Sequence, residues 1–158
     1  MDLRSRWRQF VLLAGDIVIF YAALWLALTV RGAAIVPWES FVVNAVAFSG
    51  YLVLRQFTYF TVGLYDLRLI WNLESLIRNT LAAAGINWVL GTTFFYLLAP
   101  YVGMTPKTNL LLTLVMSHTA DLYWRRAWLV LLKALPMLQR VVFLGDEATT
   151  AELREELE

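Results

Sequence analysis

A chain of 158 residues that is 60% hydrophobic, 16% charged and has a mean hydropathy of +0.63 falls outside the composition of a soluble domain, where about a quarter of residues carry charge. The net charge of +1 gives no reason to expect a nucleic-acid partner. The absence of cysteine removes disulfides, thiolate metal sites and cysteine nucleophiles.

Arg4, Arg6 and Arg8 precede a first apolar stretch from Phe10 to Val30. With Tyr21 and Trp25 inside it and no convincing small-residue cleavage site, this stretch reads as an uncleaved anchor rather than a signal peptide. Further stretches run from Phe41 to Phe60, Asn79 to Tyr101 and Thr105 to Trp124. Each is close to the ~20 residues a helix needs to cross ~30 Å of hydrocarbon, so the predicted fold is an all-α, four-transmembrane-helix bundle over residues 1–138. The connections at 31–40 and 102–106 carry Pro37 and Pro106, which punctuate helical hairpins.

Residues 66–78 differ in pattern. Leu69, Ile70, Leu73, Leu76 and Ile77 recur at helical spacing among polar residues, which suits an amphipathic helix lying in the membrane interface, with Trp71 near headgroup level. The alternative is that this segment extends the third span. Residues 125–135 are expected to leave the membrane near Trp124 and lie along its surface until Pro136. From Arg140 to Leu144 the run RVVFL, then Gly145 and a Glu-rich segment to Glu158, suggest a strand, turn and helix. Residues 139–158 are thus expected to begin a truncated cytosolic Rossmann-like domain, with only the first glycine of a dinucleotide fingerprint.

Orientation follows from the basic residues. Arg4, Arg6, Arg8, Arg55, Arg68, Arg78, Arg125, Arg126, Lys133, Arg140 and Arg154 fall on one side, and only Arg31 and Lys107 on the other. The positive-inside bias predicts a multi-pass protein with both termini in the cytoplasm. Trp7, Trp38, Tyr101, Tyr123 and Trp124 are placed for interfacial belts, while Ala82, Ala83, Ala84, Gly85 and Gly91 suit close helix packing.

Ionisable groups inside spans carry the main chemical signal, because they are costly there and turn toward partners or water. Asp16, Arg55 and Asp121 reach similar depths at ~1.5 Å per residue. The expected candidate intramembrane charge cluster is Asp16 with Arg55 and Asp121 with Arg125 at i,i+4. Such pairs either fix helix register or, with Arg125 and Arg126, contact a lipid phosphate or a cytosolic domain. Arg125, Arg126, Arg68 and Arg78 are the candidate lipid-headgroup contacts. His118, the single histidine, has no partners for a metal site, and Ser49 and Ser117 lack the neighbours of a nucleophile. No catalytic, cofactor-binding or metal residue is assigned in this chain.

Asp16 early in the first span, Gly63-Leu64-Tyr65-Asp66 after the second, Thr105-Pro106-Lys107-Thr108-Asn109 before the fourth, and Arg125-Arg126 after it form a set. With the strand expected to end at Gly145, this set resembles the amino-terminal membrane region of bacterial polyprenyl-phosphate sugar phosphotransferases. The resemblance implies a role in starting lipid-linked exopolysaccharide or O-antigen synthesis for the cell envelope, at the bacterial cytoplasmic (inner) membrane. It implies that polyprenyl phosphate, a nucleotide sugar and a divalent metal such as magnesium belong to a carboxy-terminal catalytic domain that no stretch here matches, leaving these residues non-catalytic. Membrane lipids are the direct partners, and such a bundle is compatible with a homo-oligomer. Membrane-bound nucleotide-sugar dehydratases and epimerases share the leading architecture. A stand-alone membrane scaffold or partner in moving lipid-linked sugars is a third reading.

Overall fold

The structure is a computed structural model that describes residues 3–66, 72–102 and 107–134. Four helices account for nearly all of them: α1 (Leu3–Gly32), α2 (Trp38–Thr61), α3 (Leu73–Val102) and α4 (Lys107–Ala134). Three of these, α1, α2 and α3, are long and apolar enough to cross a membrane, which makes this a multi-pass membrane protein. The fourth is long enough at 28 residues but less apolar. Its hydropathy is lowered by Asn109, Ser117, His118, Asp121 and Arg125, all of them buried inside the bundle.

The expected fold class needs correction on three points. Every element among the described residues is helical and none is a strand, so the α/β part of the expectation is withdrawn. Residues 139–158, on which it rested, lie outside the described residues. Among the described residues three helices, not four, have the apolarity of a span. Finally, α3 starts at Leu73 and runs unbroken to Val102, so residues 73–78 continue the span instead of forming a separate interfacial helix. Asn72 sets that start, since its Oδ1 accepts from the backbone N–H groups of Glu74 at 3.0 Å and Ser75 at 3.4 Å. Helix α4 likewise continues past Trp124 to Ala134 without a break.

Neighbours in sequence are neighbours in space. Helix α1 packs on α2 and α4, and α3 on α2 and α4, with no comparable backbone approach across either diagonal among the described residues. The chain therefore goes up, down, up and down around a square. At one end Arg31 Nη1 donates to Asn109 Oδ1 at 3.0 Å, and toward the other Arg125 Nη2 donates to Asp16 Oδ2 at 2.9 Å. These two ties fix α1 and α4 as antiparallel over about 22 Å, given ~1.5 Å per residue. The start of α1 and the end of α4 consequently share one end of the bundle.

Helices in lipid gain little from apolar burial, so close packing and interhelical hydrogen bonds hold them together. Gly15 provides the closest approach, because a Cβ there would run into the Trp124 indole. Gly91 faces Tyr51 and Leu110, whereas Gly85, though expected to pack, has nothing within 4 Å. Trp124 stacks on Trp128 at 6.1 Å and packs on the core, so it is a packing residue; Trp7, Trp38 and Tyr123 stay exposed. An aromatic and leucine cluster of Phe20, Leu24, Phe48, Tyr51, Phe95 and Leu114 fills the Arg31 half. A second cluster, with Leu12, Tyr59, Leu64, Tyr65, Leu76 and Leu129, fills the other half.

The turn after α2 joins the second cluster for a local reason. Gly63 adopts φ 79°, Leu64 N–H bonds to Tyr59 O at 2.9 Å and Gly63 N–H to Phe60 O at 3.2 Å. This is a Schellman cap, in which glycine meets the left-handed conformation and the following apolar residue folds back on the last turn. Leu64 and Tyr65 are thereby carried into the core rather than out to solvent.

Candidate functional site

Between the two apolar clusters lies a charged layer. Asp16, Arg55, Asp121 and Arg125 all have at most 1% of their surface exposed. The structure brings together all four residues of the sequence-derived cluster but exchanges their partners. Arg125 pairs with Asp16, from α4 to α1, and Arg55 pairs with Asp121 across the α2 to α4 diagonal. The layer is charge-neutral, with two cations and two anions.

Two tyrosines complete it. Tyr59 OH accepts from Arg55 Nη2 at 2.8 Å and donates to Asp121 Oδ2 at 2.5 Å, so it closes a three-membered network with the ion pair. Its ring centroid lies 4.5 Å from the Arg55 guanidinium and 5.0 Å from that of Arg125. Such cation–π contacts spread the positive charge over a medium that cannot hydrate it. Tyr65 OH donates to Asp16 Oδ2 at 2.9 Å, which is the oxygen that also receives Arg125. Arg55 in addition stands 5.2 Å from the Phe20 ring.

One polar step deeper, His118 Nδ1–H donates to Leu114 O at 2.9 Å while Nε2 faces Asn87 Nδ2 at 3.4 Å. A single neutral tautomer meets both contacts, and its ring packs edge-on against Tyr59 at 5.6 Å. Ser49 is engaged with Tyr21 OH at 2.8 Å and Ala45 O at 2.7 Å, and Ser117 Oγ donates to Leu114 O at 3.3 Å. These contacts are structural.

The candidate headgroup arginines separate. Arg125 is buried and committed to Asp16, so it does not face lipid headgroups. Arg126 is half-buried and Arg78 exposed, while Arg68 lies outside the described residues. Sequence reasoning named Tyr65 within the Gly-Leu-Tyr-Asp segment but not as a member of the charged cluster, and it missed Tyr59 and Gly15. Tyrosine in an apolar run carries no signal of its own, but Tyr59 is at i+4 from Arg55, a spacing that brings it beside the guanidinium.

Chemically, the layer joins α1, α2, α4 and the α2–α3 turn through two hydrogen-bonded sets, Arg55–Tyr59–Asp121 and Asp16–Arg125–Tyr65–Gln56, which meet where Arg125 stands 5.0 Å from the Tyr59 ring. Removing one partner from a buried pair leaves an uncompensated charge, at a cost of about 3–5 kcal/mol, so the layer rewards one register of the helices and penalises others. Compared with protein-family models, curated proteins and solved structures, the chain matches none.

Proposed function

We propose that this chain is the membrane-anchoring region of a polyprenyl-phosphate sugar-1-phosphate transferase, which starts lipid-linked polysaccharide synthesis at the inner face of the bacterial cytoplasmic membrane. The observation that supports the reading best is convergence. Asp16, Tyr65 of the Gly-Leu-Tyr-Asp turn and Arg125 of the Arg-Arg pair are three separated parts of the resemblance, and they meet on one carboxylate oxygen at 2.9 Å each. Gly63 has a matching structural duty, since only the Schellman turn it permits swings Tyr65 inward.

In this reading the bundle places the shared end of α1 and α4 at the cytosolic leaflet, in keeping with eleven basic residues at that side against two at the other. Transfer of the sugar phosphate, and the magnesium-type ion it uses, belong outside these residues. The described residues do not fit such an ion, because Asp16 and Asp121 are committed to guanidiniums and no three His, Asp or Glu side chains converge. The bundle's work is to hold position in the bilayer and present what is joined to it.

A domain exchange tests this. Residues 1–134 substituted for the membrane region of an established transferase of that family should support formation of lipid-linked sugar phosphate in membranes, whereas the chain alone, given nucleotide sugar, polyprenyl phosphate and magnesium, should form none. Turnover by the chain alone, or a chimera that inserts but stays inactive, would overturn the reading.

A further inference from the structure

Each ion pair of the charged layer is made through a single carboxylate oxygen. Arg125 Nη2 reaches Asp16 Oδ2 and Arg55 Nη2 reaches Asp121 Oδ2, while Asp16 Oδ1 and Asp121 Oδ1 are buried without a hydrogen-bond partner among the described residues. On the cationic side, Arg125 Nε, Arg55 Nε and Arg55 Nη1 are buried and unpartnered in the same sense. Open donors and open acceptors thus sit on the same four side chains. A buried ion pair is favourable only when its remaining protons and lone pairs are also engaged, so these atoms require a further partner.

Direct contact between the paired side chains cannot supply all of it. The guanidinium is planar, and a carboxylate grips it through Nε and Nη2 along one edge or through Nη1 and Nη2 along another. With Arg55 Nη2 on Asp121, a tilt that brought Oδ1 to Nε would leave Nη1 open, and a tilt toward Nη1 would leave Nε open. The other anion, Asp16, is taken by Arg125 and Tyr65.

The layer also has a neighbouring opening. A cleft of about 250 Å³ between α1 and α2 is lined by Gln9, Phe10, Leu13, Gln56, Phe60 and Tyr65. Two of these residues belong to the Asp16 set: Tyr65 OH donates to Asp16 Oδ2 at 2.9 Å and stands 2.8 Å from Gln56 Oε1, and Gln56 Nε2 is a further buried atom without a partner among the described residues. Gln9, on the α1 side, lies two residues inside the start of the first span at Trp7, at the depth of the membrane interface.

We propose that the charged layer is an internal water-binding site, in which bound water bridges Arg125 Nε to Asp16 Oδ1 and the open N–H groups of Arg55 to Asp121 Oδ1, and that the α1–α2 cleft is its entrance. Water fits this atom set better than an ion. Two cations and two anions already balance, so an ion of either sign would leave the layer charged. Water both donates and accepts, and a buried water makes about three hydrogen bonds to polar groups that otherwise lack them. Gln56 and Tyr65 form the polar threshold between the cleft and the layer. This inference does not depend on the transferase reading.

The test uses the full chain in lipid bilayers, with isotope-labelled arginine and leucine, and reads by solid-state NMR how early magnetisation passes from water protons to each nitrogen. Arg125 Nε and Arg55 Nε should receive it as early as the side chain of exposed Arg78, although both residues are at most 1% exposed. The backbone nitrogen of Leu24, buried in the apolar cluster, should receive it late. Leu13→Trp should fill the cleft and abolish the early transfer to Arg125 Nε, and Val18→Trp, on an exposed part of α1, should keep it. Transfer to both buried arginines as late as to Leu24 would mean a dry layer and overturn the site. Early transfer that survives Leu13→Trp would overturn the cleft as its entrance.

Discussion

Replacing Asp16 by Leu should be among the most damaging single changes in this protein, and the damage should be largely repaired by a second change at Arg125. In Asp16→Leu the Arg125 guanidinium keeps its place, 1% exposed, but loses the carboxylate 2.9 Å away. A buried charge left without its partner costs about 3–5 kcal/mol, or roughly two to four orders of magnitude in the folding equilibrium. Asp16→Leu/Arg125→Leu removes both charges together, and replacing a whole buried pair with apolar groups is close to neutral. The double variant should therefore lie within about 1–2 kcal/mol of wild type, and with about 3–5 kcal/mol lost in each single variant the coupling energy should be at least ~4 kcal/mol. Reversible unfolding in mixed micelles, followed by tryptophan fluorescence, measures each corner of the cycle. The parallel cycle with Arg55 should show weaker coupling, because Arg55 is tied to Asp121 and Tyr59. Stronger coupling of Asp16 to Arg55 than to Arg125 would refute the pairing and the diagonal geometry that goes with it.

Tyr65→Phe keeps the ring but deletes the hydroxyl that donates to Asp16, so it should cost about 1.5–3 kcal/mol, the range for a hydrogen bond to a charged group; stability unchanged in the same unfolding assay would place Tyr65 outside the layer. Gly63→Ala puts a Cβ on a residue at φ 79° and should destabilise the bundle by about 1–2 kcal/mol, while raising protease sensitivity of the α2–α3 connection; wild-type resistance would contradict the Schellman turn. Gly15→Ala should lower the melting temperature through collision with Trp124, and Trp124→Leu should recover part of the loss; independent, additive effects would contradict the close α1–α4 approach.

The helices were legible because apolar runs of span length admit few other structures, and the charged layer because ionised groups inside such runs demand partners. Asp16, Arg55 and Asp121 could be put at one depth by counting residues. Their pairing could not, since depth along an axis says nothing of which helices face each other around it. Arg55 and Asp121 turn out to be diagonal, and Arg125, which from its place after the fourth span looked like a headgroup contact, points inward. Helix α4 shows the same limit from the other side. Its polar residues lower its hydropathy, yet Asn109, Thr113, Ser117, Asp121 and Arg125 recur every four residues and are all buried, forming one inward stripe. That periodicity was present in the sequence and distinguishes a partnered helix from a surface segment. Small residues were less informative, because Gly15 and Gly85 look alike until a neighbour such as Trp124 is placed against one of them.

The absence of native cysteine allows single introduced thiols to report the side of each helix end without background. In intact cells, a membrane-impermeant maleimide should label Ile35→Cys and Thr108→Cys, while Asp2→Cys, Glu74→Cys and Lys133→Cys should react only after the membrane is opened. Labelling of Lys133→Cys from outside, together with Ile35→Cys, would mean that α4 does not return across the bilayer, and the antiparallel bundle with its charged layer would be contradicted.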